Sequence, residues 1–268
     1  MKVCTYNVNS IRARSELVTR WLEKRTADLD VLCLQELKVV DELFPHHLFQ
    51  PAGYQCYPFG QKTYNGVAIC TRHPLTTVHY GFKDPQWDEQ KRLMWGATEM
   101  LTIVNVYAPH GDIRGTEKYF YKLRWYERFR DFLNTTFHPD QPLIVAGDFN
   151  VALEDKDVYD PDALRDTIGT MPEEREALRS ILEWGLIDTF RFLYPDQQQF
   201  TWWDYIGGAI WKNAGMRIDY IFCTRPLLPA LQEVEVDLWA RRRRKPTPSD
   251  HAPVIATFDL SQIKTEKP

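Results

Sequence analysis

No hydrophobic run in this chain of 268 residues reaches the roughly 20 apolar residues that a membrane-spanning helix needs. The amino terminus lacks the pattern of a signal peptide, because residues 1–5 lead directly into a strand-like segment. Gly/Ser-rich and low-complexity stretches are missing as well, so no segment has the composition of a linker. With 44% hydrophobic residues, the chain can bury a sizeable core. We expect one domain over residues 1–260 and a polar tail over 261–268.

Cysteine is scarce, with 5 residues at irregular spacing: Cys4, Cys33, Cys56, Cys70 and Cys223. The number is odd, and most of these residues lie in strand-like runs. This pattern favours buried free thiols in a reducing compartment over disulfides or a zinc site. We therefore expect a cytoplasmic protein, associated with the nucleoid if its source is prokaryotic, and not a secreted one.

An excess of positive charge is also missing, since the net charge is −4 and the pI is near 6.0. The protein is therefore not a generally basic coat for nucleic acid, although a local basic face is compatible with these values. One dense basic run lies at residues 241–245, shortly before Ser249. Two interpretations of this run stay open, a solvated loop and a loop that faces a polyanionic substrate.

Strand-like and helix-like patterns alternate along the chain. Strands are predicted at residues 2–7, 31–35, 65–70, 97–100, 102–107, 143–146, 217–224, 233–238 and 253–259. Helices are predicted at residues 15–24, 116–133 and 172–184. Several strands follow one another through tight turns, which argues against a single parallel sheet. We predict an α/β fold with two mixed sheets packed face to face and helices outside.

Four predicted strands or apolar runs stop abruptly on a short polar block. These blocks contain Asn7, Glu36, Asp148 and the pair Asp250–His251. Strand ends that meet in the folded chain would form a cluster of oxygen ligands beside a histidine. Such a cluster suits a hard divalent cation in phosphoester chemistry.

The polar blocks resemble, in order, those of the exonuclease III family of abasic-site endonucleases, within the endonuclease/exonuclease/phosphatase superfamily. The resemblance extends from residue 1 to about residue 260. It is carried by the blocks YNVNSIR (6–12), LQELK (34–38), VYAP (106–109), GDFN (147–150), WWDY (202–205), RIDY (217–220) and SDHAP (249–253). It implies a four-layer α/β sandwich whose active site lies at one edge, where strand ends from both sheets meet.

The same resemblance implies a Mg²⁺-dependent phosphodiesterase of base excision repair, with Mn²⁺ able to substitute. Its expected activities on double-stranded DNA are incision 5′ to abasic sites, 3′–5′ exonuclease action and 3′-repair phosphodiesterase or phosphatase action. Its expected partner is duplex DNA with abasic sites or 3′ ends, and we expect a monomer that binds no membrane.

Metal and catalytic roles follow from the resemblance. Glu36 is implied as the principal Mg²⁺ ligand, with Asn7, Asp148, Asn150, Asp250 and His251 on the metal side. Asp148 is implied to orient or deprotonate the attacking water, and Asn150 to donate to the phosphate. His251 and Tyr107 are implied to contact the phosphate, and Asp219 to hold His251 in one tautomer.

Three apolar residues, Trp202, Met216 and Ile218, align with the pocket that takes a base-free sugar in abasic endonucleases. Such a pocket has no groups that read a base. Met216 stands where some relatives have an aromatic residue, and this departure bears on the balance between abasic incision and exonuclease action. Further DNA contacts are implied for Asn9, Arg12, Lys38, Arg242 and Arg243.

Two other functions stay open at the level of the sequence. One is a related phosphoesterase acting on RNA or phosphoinositides, against which the blocks at 35–38 and 203–205 argue. The other is a non-catalytic RNA-binding homologue. Such a protein would be expected to lack several of the catalytic carboxylates that are present here.

Overall fold

The computed structural model describes residues 1–25 and 29–263. Two six-stranded mixed sheets pack face to face, and helices cover their outer faces. This confirms the predicted four-layer α/β sandwich.

The first sheet has the strand order β11-β12-β1-β2-β4-β3, and the second has the order β5-β6-β7-β8-β10-β9. Strands of the first sheet are β1 (Lys2–Asn7), β2 (Val31–Gln35), β3 (Gln55–Phe59), β4 (Val67–Thr71), β11 (Leu231–Val236) and β12 (Val254–Phe258). Strands of the second sheet are β5 (Thr77–Tyr80), β6 (Leu93–Ala97), β7 (Thr102–Tyr107), β8 (Leu143–Asp148), β9 (Leu186–Asp188) and β10 (Asp219–Thr224). Each sheet contains one parallel pair, β1 with β2 and β7 with β8, and its other pairs are antiparallel.

In the described part of the chain, seven α-helices connect the strands: α1 (Ser15–Arg25), α2 (Pro85–Asp88), α3 (Glu117–Thr136), α4 (Pro172–Leu182), α5 (Thr189–Leu193), α6 (Ala209–Lys212) and α7 (Leu238–Arg241). Helix α1 packs on the outer face of the first sheet through Val18, Trp21 and Leu22. Helices α3 and α4 pack on the outer face of the second sheet. Within residues 1–25 and 29–263, every helix is too short or too polar to cross a membrane.

The inner faces of the two sheets enclose one large apolar cluster. Along β1, alternate side chains point into this cluster. Val3 belongs to the cluster, and Asn7, on the same side of the strand, is the polar residue at the end of β1. In β8 the inward residues Ile144 and Ala146 are apolar and Asp148 follows them. The space between the sheets is therefore apolar along most of its length and polar at one edge.

Strand predictions for residues 2–7, 31–35 and 102–107 are confirmed to the residue. The strand predicted at residues 97–100 is wrong, because Ala97 ends β6 and a turn follows, in which Thr98 and Leu101 exchange hydrogen bonds. Strands β3, β5 and β9 were not predicted. They lie at or near sheet edges and are short or interrupted by polar residues, so their hydrophobic pattern is weak.

The carboxyl-terminal boundary differs from the predicted tail at 261–268. A 3₁₀ turn spans Leu260–Gln262, and Ile263 is buried in the cluster between the sheets. The rest of the predicted tail, residues 264–268, lies outside the described residues.

The expectation of five free thiols is wrong for two of them, because Cys56 and Cys70 form a disulfide with an S–S distance of 2.08 Å. These residues lie directly opposite each other on the antiparallel strands β3 and β4. Sequence reasoning missed the pair because β3 itself was not predicted, so nothing placed the two side chains together. Cys4, Cys33 and Cys223 are free and buried, as expected. The expectation of a reducing compartment was based on five free cysteines, so this disulfide weakens that expectation.

The disulfide predicts a simple alkylation pattern. Protein purified without reductant and alkylated in denaturant should carry three modifications by mass spectrometry, because three cysteines are free. Prior reduction should raise the number to five. Five modifications without reductant would show that Cys56 and Cys70 are not bonded in solution.

Candidate active site

Two parallel strand pairs build the polar edge. Asn7 is aligned with Gln35 in the first sheet, and Tyr107 is aligned with Asp148 in the second. Parallel neighbours end at the same edge of their sheet, and the packing of the sheets brings the two edges together. Strand β10 runs antiparallel to β8, so its first residue, Asp219, lies opposite Asp148. One edge of the sandwich thus collects the ends of several strands.

The chain turns sharply where these strands end. Glu36, Lys38 and Asn150 all have left-handed backbone conformations, with φ values of 52°, 54° and 51°. For Glu and Lys this region is uncommon, and such strained conformations cluster at functional sites. The turns direct the side chains of Glu36 and Asn150 along the edge instead of into the sheets.

Asn7 connects a carboxylate of the first sheet with a carboxylate of the second. Its amide nitrogen donates to Glu36 Oε1 at 2.9 Å and to Asp148 Oδ2 at 2.8 Å. Its amide oxygen accepts from the backbone N–H of Asn9 at 3.0 Å. The amide nitrogen, and not the oxygen that a metal would bind, therefore faces the carboxylates. This arrangement makes Asn7 a group that holds two carboxylates together.

Glu36 is held as a charged carboxylate. Lys38 Nζ lies 2.8 Å from Glu36 Oε2 and also donates to Asn9 Oδ1 at 2.6 Å. Burial works to raise the pKa of Glu36, but Lys38, Asn7 and His251 together outweigh it and lower the pKa. Lys38, expected at the DNA, lies in this structure against Glu36.

His251 lies between two carboxylates. Its Nδ1 is 2.9 Å from Asp219 Oδ2, and its Nε2 is 3.7 Å from Asp148 Oδ2. Burial opposes its protonation, but the charges of Asp219 and Asp148 outweigh burial and raise the pKa of His251. A protonated imidazole has no lone pair for a metal, so this geometry favours a hydrogen-bond donor over the metal ligand that was also expected.

Asp148 is buried and accepts several hydrogen bonds. Besides Asn7, its donors are the backbone N–H of Asn150 at 2.9 Å and the Asn150 amide at 3.4 Å. Burial is the main cause that raises the pKa of Asp148, and nearby Asp219 adds to it, while His251 works against it. A carboxylate with a raised pKa is suited to accept a proton near neutral pH. The Asn150 amide also donates to the carbonyl of Ala108 at 2.9 Å.

Tyr107 lies at the same edge with its hydroxyl protonated, since burial and the charge of Glu36 raise its pKa. Arg92, which sequence reasoning missed, places its guanidinium 4.8 Å from the Tyr107 ring centre and donates to the Tyr107 carbonyl at 3.2 Å. An arginine before a strand carries no distinguishing signal in the sequence.

Asp250 is turned away from Glu36. Its two oxygens accept from Asn9 Nδ2 at 2.9 Å and from Trp202 Nε1 at 3.0 Å. Asp250 therefore connects Asn9, which was expected to contact DNA, with Trp202, which was expected in the sugar pocket. Nearby, Ser249 Oγ donates to the carbonyl of Asn7 at 2.7 Å and accepts from the His251 N–H at 3.2 Å.

The three residues predicted for the sugar pocket come together. Met216 and Ile218 are buried in one small cluster with Ala152 and Val158, and Trp202 packs against it. Trp202 and Met216 exchange backbone hydrogen bonds, each of 2.9 Å. This apolar cluster therefore lies beside His251, to which Trp202 is joined by a β-bridge.

The arginines of the basic run at 241–245 have different environments. Arg241 is buried, and its guanidinium donates to the carbonyls of Asp250 at 3.2 Å and Trp203 at 2.9 Å. Arg243 stacks on Trp239, with 3.6 Å between its guanidinium and the ring centre, whereas Arg242 is exposed. Arg12 is exposed as well and lines a surface cavity of 330 Å³. Arg241 thus supports the site loop and Arg243 is held against Trp239, whereas Arg12 and Arg242 are exposed at the surface.

Lys122, also missed, is buried in the middle of α3. Its ammonium donates to the carbonyl of Asn150 at 2.8 Å, to that of His110 at 3.1 Å and to Glu174 at 2.6 Å. It lies on the apolar face of α3 between Tyr119 and Tyr126. A lysine at a core position of an amphipathic helix is the sequence signal that could have identified it.

The site fits a hard divalent cation. Glu36, Asp148 and His251 each offer one ligand atom, and these atoms all lie within 4.8 Å of one another. Carboxylate oxygens are the ligands that Mg²⁺ prefers. With His251 favoured as a donor, Glu36 and Asp148 are the residues best placed to hold the ion.

The chain is similar to known proteins over nearly its whole length. The Endonuclease/Exonuclease/phosphatase family model matches residues 4–251. The exodeoxyribonuclease III of Haemophilus influenzae is 33% identical over 96% of this chain and 100% of its own length. The structure of an AP endonuclease from Archaeoglobus fulgidus superposes with a TM-score of 0.91 at 36% identity, covering 97% of this chain and 99% of that one. A 3′ phosphatase from Neisseria bound to a product DNA hairpin gives a TM-score of 0.89 at 36% identity, covering 97% and 99%.

The chain therefore belongs to the Endonuclease/Exonuclease/phosphatase family. Within that family it is a hydrolase of the exodeoxyribonuclease III and AP endonuclease type.

Replacing Asp219 with asparagine tests its role toward His251. We expect kcat to fall about 10- to 100-fold, the usual effect of losing a partner that orients an active-site group. The pKa of His251 should fall because a charge that raises it is removed. The alkaline limb of the pH–rate profile should then move to lower pH. The exposed Asp196→Asn removes the same charge at the surface and should change neither property, and an unchanged profile in Asp219→Asn would reject the role.

Proposed function

We propose that the protein is a Mg²⁺-dependent DNA phosphodiesterase of base excision repair. Its principal reaction is incision 5′ to abasic sites, accompanied by 3′–5′ exonuclease and 3′-repair phosphodiesterase or phosphatase activity on duplex DNA. The observation that carries this proposal is the edge cluster, in which Glu36 and Asp148 lie beside His251, which is itself bonded to Asp219. We further expect a monomer in the cytoplasm, in which Mn²⁺ can substitute for Mg²⁺.

Each residue of the cluster has a task that phosphodiester hydrolysis requires. Glu36 and Asp148 would hold the cation, which would supply neutralisation of the phosphate charge and polarisation of the scissile bond. Asp148, buried beside His251, orients the attacking water and accepts its proton. His251 donates from Nε2 to a non-bridging phosphate oxygen, and the protonated Tyr107 hydroxyl is a second donor.

The apolar pocket supports a base-free sugar as the preferred substrate group. Trp202, Met216 and Ile218 present side chains that cannot pair with the edge of a base, although Trp202 Nε1 is satisfied by Asp250. An extruded deoxyribose fits such a pocket, whereas an intact nucleotide carries a base that the pocket neither reads nor admits.

The surface around the cluster supports duplex DNA as the substrate. A cleft of 810 Å³ opens beside Tyr107 and is lined by both basic and acidic side chains, including Arg92, Lys118 and Glu117. Arg12 and Arg242 are exposed, and Arg243 is partly exposed, so they offer local positive charge to a phosphate backbone. A net negative protein with such local positive charges is able to bind DNA without coating it.

The function is tested on a duplex with a single abasic-site analogue, an undamaged duplex with a recessed 3′ end, RNA and inositol phosphates. Denaturing gels should show incision 5′ to the abasic site in Mg²⁺ and none in excess chelator. Glu36→Ala should lose several orders of magnitude in rate because it removes a metal ligand, and raised Mg²⁺ should restore part of it.

The exposed Glu99→Ala, which lies in the turn after β6, serves as the matched control and should retain full activity. Full activity in chelator would contradict the metal dependence. A clear preference for RNA or inositol phosphates would favour the related phosphoesterase instead.

Trp202→Ala tests the sugar pocket. Truncation removes the largest wall of the pocket, so abasic incision should fall more than exonuclease activity, which depends less on gripping an extruded sugar. Trp202→Phe keeps an aromatic wall but lacks the N–H that bonds Asp250, and it should preserve the ratio of the two activities. Equal losses of both activities in Trp202→Ala would mean that the residue is ordinary core.

A further inference from the structure

We propose that a buried pair of amides, Gln35 and Asn105, sets the spacing between the two halves of the active site. Both are positioning residues, which act through their neighbours and not on the substrate. The inference rests on the proposed function and names residues that support that same site.

The amide nitrogen of Gln35 is committed to partners between the sheets, whereas its Oε1 is buried without a partner in the structure. Its Nε2 lies 2.8 Å from Asn105 Oδ1, 2.9 Å from Thr5 Oγ1 and 2.9 Å from the Cys33 carbonyl. Gln35, Thr5 and Asn105 are all completely buried. A donor from β2 thus reaches across the sandwich to an acceptor on β7.

Asn105 donates in the opposite direction, from the second sheet to the first. Its Nδ2 donates to the carbonyl of Leu34 at 3.0 Å and to that of Ala68 at 2.8 Å. Leu34 and Ala68 are aligned neighbours on β2 and β4. A side chain of the second sheet is therefore bonded to the backbone of two adjacent strands of the first.

The pair lies directly behind the site. Gln35, the last residue of β2, immediately precedes Glu36. Asn105 is two residues before Tyr107 on β7, so the side chains of Asn105 and Tyr107 both point toward the first sheet. Glu36 and Asn7 belong to the first sheet, whereas Tyr107 and Asp148 belong to the second. Any shift of one sheet against the other would therefore change the distances between Glu36 and its partners across the site.

Apolar packing alone does not prevent such a shift. Apart from the polar edge, where Asn7 of the first sheet donates to Asp148 of the second, the interface is a cluster of aliphatic and aromatic side chains, including Val31, Val67, Ile103 and Ile144. Hydrophobic contact is non-directional, and cores tolerate repacking before they lose stability. Hydrogen bonds require defined distances and angles, and the amide nitrogens of both buried residues are committed to acceptors. Behind the polar edge, the amide pair therefore supplies the geometric definition that the apolar contacts lack.

The first test compares two truncations on the same face of β7. Asn105→Ala removes the cross-sheet bonds, and Ile103→Ala deletes apolar contacts from the same buried interface, two residues away. Both should lower the stability toward urea. Asn105→Ala should lower kcat on the abasic duplex by at least about 10-fold, the scale expected when reacting groups are misplaced by a fraction of an ångström. It should also weaken Mn²⁺ binding, measured by calorimetry without DNA. Ile103→Ala should change neither property by more than about 2-fold.

The second test separates positioning from stability. The double variant Gln35→Met/Asn105→Leu replaces both partners with apolar side chains, and it should recover stability relative to either single variant because no amide of the pair is left unpaired. Its kcat and Mn²⁺ affinity should remain low, because the sheets are no longer held in one register.

Recovery of kcat together with stability in the double variant would overturn the proposal, as would equal kcat values in Asn105→Ala and Ile103→Ala. If the double variant does not fold, the comparison of the two alanine variants decides. Wild-type protein without activity on the abasic duplex would refute the proposed function, and the Mn²⁺ affinities would then decide the positioning role separately.

Discussion

Three carboxylates, Glu36, Asp148 and Asp219, lie close together at one edge of the sandwich, largely shielded from water, and the surrounding structure is arranged to keep them there. Buried like charges repel each other and shift toward their neutral forms unless donors or cations compensate them. Asn7 donates to two of these carboxylates, Lys38 pairs with Glu36, and His251 lies between the other two. At Glu36 the compensating groups outweigh burial and lower the pKa, whereas at Asp148 burial outweighs them and raises it. Under the proposed function, this difference suits Glu36 to the role of a charged ligand and Asp148 to that of a proton acceptor.

The same edge explains why the fold needs two sheets. One parallel pair supplies Asn7 and leads into Glu36, and the other supplies Tyr107 and Asp148. A single parallel sheet would place such residues in a row, about 4.8 Å apart from strand to strand. Two sheets face to face instead surround the site from opposite sides. Their relative position then controls the chemistry, which is why a bonded amide pair between them is significant.

Support for the site also comes from residues outside the edge. Lys122 holds the backbone at Asn150, Arg241 holds the backbone at Asp250, and Thr201 accepts from the N–H of Asp219 at 3.1 Å. Each of these side chains satisfies a backbone group at a residue of the site, in the loops at Asn150 and Asp250 and at the start of β10. These segments are thereby fixed, and a preformed site does not have to be ordered when the substrate binds.

Much of the fold and of the site could be predicted from the sequence, because local patterns carry it. The run ending at Asn7 and the run ending at Tyr107 were each predicted to the residue, since a buried strand followed by a polar block has clear limits. Strand β3 has no such pattern, because Tyr57 and Pro58 interrupt it at a sheet edge, and the Cys56–Cys70 bond was missed with it. Residue type and order thus determined the two-sheet class, the candidate ligands and the family resemblance. Tertiary structure decided which nitrogen or oxygen faces which partner, as for the Asn7 amide, the protonation of His251 and the burial of Lys122 and Arg241. Those properties depend on distances between segments far apart in the chain, and no local pattern encodes such distances.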